Sequence, residues 1–308
     1  MMKYNKIVIA GGNGYIGKVL SQHFGQYSNE IVILSRKEKE QTGNIRTILW
    51  DGKNIRDWVV ELEHSDLLIN LCGKNVNCRY TRKNQQEIID SRIVPTKLLG
   101  SAVQTLENPP KLWINVTSST IYRHAEDRPQ TEQNGEIGYG FSIDVCKAWE
   151  STFFEQQTPA TRKVALRMAI VLGRTDGAFP RLLNLAKFGL GGQQGDGEQY
   201  VSWVHEQDVA LSVEWLLNHD ITGIVNCAAP NAVKNRDLMA CIRKSYGAPF
   251  GLPSSAWLLE IGARIIGTET ELILKSRWVE PENLVNSGFK FQYNKIEEAV
   301  HDIISLRI

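Results

Sequence analysis

Short apolar runs alternate with amphipathic stretches along most of the chain. Lys6–Ala10, Ile31–Ser35, Arg46–Trp50, Asp66–Cys72, Lys111–Thr117, Lys163–Leu172 and Gly223–Cys227 read as strands. Asp66–Cys72 is apolar at nearly every position, the pattern of a parallel strand covered on both faces. Between the strands, Lys18–Gln26, Ile55–His64, Asn84–Leu106 and Asp144–Gln157 read as helices, the third interrupted near Pro95. Strand and helix in alternation predict an α/β fold built on a doubly wound parallel sheet. After Leu172 the texture changes. The stretch 173–202 is rich in glycine, including Gly189-Leu190-Gly191-Gly192 and Gly195-Asp196-Gly197, and predicts loops that approach a ligand or other backbone. Beyond Pro230, short helices are punctuated by Leu252-Pro253 and Glu280-Pro281. The expected organisation is a sheet domain over 1–230, with the 173–202 loop reaching out of it, and a smaller C-terminal lobe over 231–308 at the carboxyl ends of the strands.

The first strand breaks on Gly11-Gly12-Asn13-Gly14-Tyr15-Ile16-Gly17 and resumes as an amphipathic segment. Strand, glycine turn and helix in this order make a phosphate-binding unit of Rossmann type. Gly11 lets the chain turn, Gly14 leaves room for a pyrophosphate against bare backbone, and Gly17 lets the helix pack closely. The unpaired N–H groups and positive end of the helix then hold the phosphates. Asn13, Tyr15 and Ile16 lie in the same turn and are expected beside the dinucleotide. The tip of the second strand, where an acidic residue would accept from the ribose of NAD, carries Ser35-Arg36-Lys37 instead. A guanidinium beside a hydroxyl suits a 2′-phosphate, so the expected cofactor is NADP. Asp51 stands where it could accept from the adenine amino group, although Asp before Gly52 is also an ordinary turn.

Composition narrows the partners. The 308 residues are 42% apolar, and 35 Lys+Arg against 34 Asp+Glu leave a net charge of +1. That balance points to neither nucleic acid nor an anionic membrane. No apolar stretch has the length of a membrane span, and the opening residues read as a strand rather than a secretory leader. Five cysteines at irregular spacings suit neither a disulfide framework nor a zinc site, so a reducing, cytoplasmic compartment is expected and no metal.

These motifs resemble the extended short-chain dehydrogenase/reductase superfamily, and within it the atypical NAD(P)-dependent epimerase/dehydratase-like branch that ends in a C-terminal domain of unknown function. Besides the glycine turn, the likeness is carried by Ile69-Asn70-Leu71-Cys72-Gly73, Arg79-Tyr80-Thr81, Ser118-Ser119-Thr120-Ile121-Tyr122 and Cys146-Lys147-Ala148-Trp149-Glu150. It continues in Leu166-Arg167-Met168-Ala169, Trp203-Val204-His205-Glu206-Gln207-Asp208 and Gly288-Phe289-Lys290-Phe291. The resemblance implies that Leu71, Cys72 and Gly73 line the dinucleotide. It implies a serine at Ser118, with Ser119 in reserve, to hold a substrate oxygen. It also implies a Tyr-x-x-x-Lys pair one helical turn apart, in which the ammonium helps the phenol exchange a proton.

That pair is absent, since no tyrosine has a lysine four residues on. Counting back from Glu150, the lysine position falls on Cys146 or Lys147 and the tyrosine position on Ser142 or Ile143. Tyr139 is the candidate for the proton, folding back from a loop. Lys147 and Ser142 are expected to line the pocket, Lys147 toward the cofactor and Ser142 toward the substrate. Arg79, with Arg82, Lys83 and Arg92, offers an anion-binding edge or a solvated basic face. Arg167 in a buried strand needs a carboxylate or the cofactor as partner. His205 and Trp203 are candidate substrate contacts, with core packing as the alternative for Trp203, and Asp208 is the expected cap of the helix that follows. Two functions compete at this level. One is an NADP-dependent oxidoreductase or epimerase on a small carbonyl or hydroxyl substrate, nucleotide-linked or not, with a homodimer as the candidate assembly. The other is an NADP-binding sensor or scaffold without turnover.

Overall fold

A computed structural model of the chain describes residues 2–38, 40–255, 257 and 271–305, without the side chains of 272 and 273. Seven parallel strands make the main sheet, in the order β10-β6-β5-β4-β1-β2-β3. They are β1 (Tyr4–Ala10), β2 (Ser28–Ser35), β3 (Ile45–Leu49), β4 (Leu67–Asn70), β5 (Leu112–Ser118), β6 (Arg162–Met168) and β10 (Gly223–Cys227). The strand order reverses between β1 and β4, which opens a crevice at their carboxyl ends.

Period-two alternation divides the core. Ile7 and Ile9 of β1, Ile31 and Ile33 of β2 and Leu67 and Ile69 of β4 face α1 (Tyr15–Phe24) and α5 (Glu206–Asn218). Val8, Val32, Leu68 and Trp113 face α2 (Arg82–Val103), α3 (Phe141–Glu155) and the 3₁₀ helix Asp57–Leu62. With both faces buried, both of these sets are apolar.

Three elements differ from the sequence reading. Pro95 does not interrupt α2, which starts from the Thr81 cap and runs unbroken to Val103. Pro95 is buried within the helix, and the next residue, Thr96, donates its hydroxyl back to the Arg92 carbonyl at 2.7 Å. Lys163–Leu172 is two strands rather than one. At Ala169 the chain leaves the sheet, and β7 (Ile170–Leu172) pairs with β9 (Trp203–His205). The glycine-rich stretch is not all loop. Phe179, Leu183 and Ala186 bury one stripe of α4 (Phe179–Lys187), with Pro180 in its first turn.

A second core joins α4 to α6 (Asn235–Tyr246) and α7 (Ile296–Ser305) through Phe179, Leu183, Leu238, Ile242, Val300 and Ile303. Beside it, β8 (Tyr200–Val201) pairs with β11 (Val233–Lys234). This core draws on residues from both sides of position 230, so the C-terminal lobe is completed by the 170–205 segment.

Candidate functional site

The crevice is built on the glycine turn. Gly11 has φ +75°, and a Cβ there would lie 3.1 Å from the Cys72 nitrogen, so the turn and the Leu71–Gly73 loop touch backbone to backbone. Gly17 is closer still. Its Cβ would stand 2.0 Å from the Gly12 carbonyl oxygen, so the helix packs on the turn itself rather than on the strand. Gly14 is the opposite case, with nothing within 4 Å of a Cβ built on it. As the N-cap of α1 it gives the helix no side-chain cap, and the first turn holds no acidic residue. No side chain caps the first N–H groups of α1, which leaves them for a phosphate.

The tip of β2 is tied to this turn. Asn13 donates to Ser35 Oγ and, at 3.3 Å, to the Lys37 carbonyl, while its own Oδ1 is buried without a partner. Arg36 is exposed at this tip, and its charge reaches the Cys72 thiol across the crevice. Burial outweighs that cation and pushes the Cys72 thiol up to about 12, so it stays protonated. The turn, Ser35, Arg36 and Leu71–Gly73 thus surround one space. Ile16 and Leu71 also pack into the core beneath it. The Tyr15 hydroxyl is buried against Gly173 and has no hydrogen-bond partner.

Beyond β4 and β5 a buried network fixes the floor. Asn70 donates to Thr96 Oγ1 at 3.0 Å and to Asn115 Oδ1 at 2.7 Å, and Trp149 Nε1 donates to Thr96 Oγ1 at 3.1 Å. Ser118 ends β5 at the rim. Its Oγ accepts from the Thr120 N–H at 3.2 Å, which caps the 3₁₀ turn Ser119–Ile121.

Several expected contacts lie elsewhere. Arg167 has its partner in Glu150, whose oxygens accept at 2.8 and 2.7 Å, both residues being buried; the cofactor is not needed to pair it. Lys147 is exposed on the face of α3 away from Cys146 and Glu150. Tyr139 is 93% exposed ahead of α3 and does not fold back onto it. Ser119 is buried within its turn. Asp51 is engaged locally, with Oδ1 accepting from the Lys53 and Asn54 N–H groups at 2.8 and 3.0 Å, which leaves the adenine role unsupported. Trp203 is fully buried and donates to the Asn231 carbonyl at 3.0 Å, so it packs the second core instead of meeting substrate. His205, not Asp208, caps α5, accepting from the Gln207 N–H at 3.2 Å. Asp208 holds the C-terminal segment through the Gln292 and Tyr293 N–H groups at 2.7 and 2.9 Å. Arg82 and Lys83 are solvated, and Arg79 is half-buried.

His205 carries a pH dependence. It is fully buried, and burial lowers its pKa from 6.5 to about 4 against the opposing pull of Asp302. The folded protein keeps His205 neutral while the unfolded chain protonates it below its ordinary value. Its contribution is therefore complete above the unfolded pKa and is lost as pH falls through the folded one, a swing of about 3 kcal/mol. The wild-type urea midpoint should be lower near the folded pKa than at neutral pH, and the drop should be smaller in His205→Gln.

Three groups that sequence spacing did not single out meet near α3. The Tyr80 hydroxyl lies 3.3 Å from Ser142 Oγ, and Ser142 Oγ donates to Glu271 Oε2 at 3.4 Å. Lys275 Nζ donates to the Thr120 carbonyl at 2.9 Å. No metal-ligating cluster occurs among the described residues, and no described helix is long and apolar enough to cross a membrane.

Comparison with known proteins gives a consistent result. A family profile described as the NAD dependent epimerase/dehydratase family matches residues 7–228, and a domain of unknown function, DUF1731, matches 255–303. The chain is 29% identical over 303 residues to the epimerase family protein YfhF of Bacillus subtilis, covering 98% of each. It superposes on human epimerase family protein SDR39U1 (isoform 2), solved with NADPH, with a TM-score of 0.85 at 25% identity, over 97% of this chain and 99% of that one. A UDP-N-acetylglucosamine 4-epimerase from Methanobrevibacter ruminantium, solved with UDP-N-acetylmuramic acid, shares the fold alone, with a TM-score of 0.77 at 18% identity over 99% of this chain and 98% of that one.

Proposed function

The chain belongs to the NAD dependent epimerase/dehydratase family, and from that premise we propose that it is an NADPH-dependent oxidoreductase or epimerase acting on a small, nucleotide-linked carbonyl or hydroxyl substrate. The observation that carries this reading is the uncapped, acid-free start of α1 facing open space at Gly14, with Arg36 at the neighbouring strand tip. The nicotinamide dinucleotide supplies hydride exchange when bound. The chain supplies the rest. The N–H groups of α1 hold the pyrophosphate and Arg36 meets the 2′-phosphate. Ser118 hydrogen-bonds the substrate oxygen, and the Asn70–Thr96–Asn115 network keeps the crevice floor rigid. The likeness to the NADPH-bound human protein supports the cofactor, and UDP-sugar epimerases of the same fold motivate the substrate class.

Arg36→Ala should weaken NADPH binding about 10- to 100-fold, the worth of a charge-assisted contact, and leave NADH binding nearly unchanged. Calorimetric titration with both coenzymes decides it, and equal losses contradict the 2′-phosphate role. Turnover is tested by following NADPH oxidation and epimer formation over a panel of carbonyl compounds and UDP-sugars. The reading as a sensor rests on the missing Tyr-x-x-x-Lys pair. Cofactor binding with no turnover on any substrate, unaltered in Ser118→Ala, would favour it.

A further inference from the structure

Behind Ser118 the C-terminal segment brings an amine into the site. After the helical turn Glu271–Leu274 the chain runs extended, bridging Arg277 to Val201 and Val279 to Gln130. The residue after Lys275 is held firmly. The Ser276 N–H donates to His124 Nδ1 at 3.1 Å, its Oγ donates to the Ala125 carbonyl at 2.6 Å, and the Tyr200 N–H donates to that Oγ at 2.8 Å. Lys275 itself is only half-buried. Its Nζ donates to the Thr120 carbonyl, and the Thr120 N–H donates to Ser118 Oγ. A single residue therefore bridges the amine and the strand-end hydroxyl.

The surroundings of this amine oppose its protonation, burial most of all. Burial, with the Arg277 guanidinium, brings Lys275 down from 10.5 to about 8, while Glu271 and the Cys146 thiol of α3 pull the other way without cancelling it. On the far side of Ser142, the Tyr80 phenol interacts electrostatically with Arg92 and Arg277. A neutral polar side chain could hold the Thr120 carbonyl equally well. An ionisable amine beside a second cation destabilises the site when charged, and a group poised near neutral pH is what proton exchange requires.

We propose that Lys275 is the proton-exchanging residue of this site, its neutral amine taking the hydroxyl proton of a substrate whose oxygen rests at Ser118 and its ammonium returning that proton to a carbonyl in reverse. This rests on the NADPH-dependent reading above. In the oxidising direction the nitrogen lone pair forms the new N–H bond and the substrate O–H bond breaks. Its electron pair becomes the second carbon–oxygen bond, and the hydride leaves the same carbon for an oxidised nicotinamide. Tyr80, Ser142 and Glu271 are positioning residues, forming a hydrogen-bonded line that ends at the carboxylate acting on Lys275.

The test uses the full chain. Competitive labelling with trace acylating reagent across pH, read by peptide mass spectrometry, should give Lys275 a midpoint near 8, and a lower one in Glu271→Gln. Lys275→Met should keep NADPH affinity within about twofold and lose about 10²–10³-fold in turnover. Lys275→Arg, which keeps a donor for Thr120 but cannot release a proton, should be equally inactive. A wild-type midpoint at the ordinary lysine value, or wild-type turnover in Lys275→Arg or Lys275→Met, overturns the proposal while leaving the cofactor reading intact. Absence of NADPH binding in the wild type overturns that reading and this one with it.

Discussion

Gly14→Val should abolish NADPH binding in a protein that still folds. Nothing lies within 4 Å of a Cβ at Gly14, so the branched side chain enters empty space and meets no protein atom near its base. Losing a favourable N-cap residue costs about 1 kcal/mol, a few degrees of Tm in a chain of this size. This position opens α1, whose first N–H groups have no side-chain cap, and an isopropyl group there keeps a pyrophosphate from reaching them. Losing those contacts should weaken binding by more than about 100-fold. Gly17→Val is the control. Its Cβ would collide with the Gly12 carbonyl oxygen at 2.0 Å, and the main chain cannot give way without dismantling the turn. That variant should lose about 3 kcal/mol or more. Calorimetric titration and thermal unfolding, run on both, separate the effects; normal NADPH affinity in Gly14→Val contradicts the placement of the phosphates.

Glu150→Ala should be among the most destabilising single changes in the sheet domain. The Glu150 carboxylate accepts two hydrogen bonds from Arg167 and one from Thr117 Oγ1 at 3.0 Å. Truncation leaves the guanidinium, 4% exposed, without its anion, over the Tyr122 ring with its centroid at 4.9 Å. Breaking a buried pair on one side costs about 3–5 kcal/mol, because the remaining charge has lost both water and partner. Replacing both residues with methionine should cost much less. Urea unfolding of the single and double variants measures this, and a loss of about 1 kcal/mol or less in Glu150→Ala would show that the pair is solvated.

The β1–α1 unit was legible because everything that defines it is local: an apolar run, glycines at fixed spacing, an amphipathic helix. The inner parallel strands were legible for the same reason, since burial on both faces leaves nearly continuous apolar runs, as in β1 and β4. The split of Lys163–Leu172 was not. Val171 and Leu172 are as apolar as the strand before them, and only the Ile170 N–H turning from β10 to the Ser202 carbonyl shows the chain leaving the sheet. His205 and Asp208 were misread because their partners are distant in sequence. Asp302 and Gln292 sit roughly ninety residues on, and no spacing rule links them. The same holds for Tyr80, Glu271 and Lys275, which the topology alone brings to Ser142 and Thr120. Lys147 was mistaken for a pocket residue because helical phase was inferred from Glu150 alone. The structure turns Ser142, Cys146 and Glu150 inward and leaves Lys147 outside.

Titration of the purified wild-type protein with NADPH and NADH in a calorimeter tests the central claim most directly. Saturable, one-to-one binding of NADPH, at least about tenfold tighter than NADH, is the result predicted by bare α1 amides beside Arg36. No measurable heat or saturation with either coenzyme, from a sample whose thermal unfolding is cooperative, would contradict it.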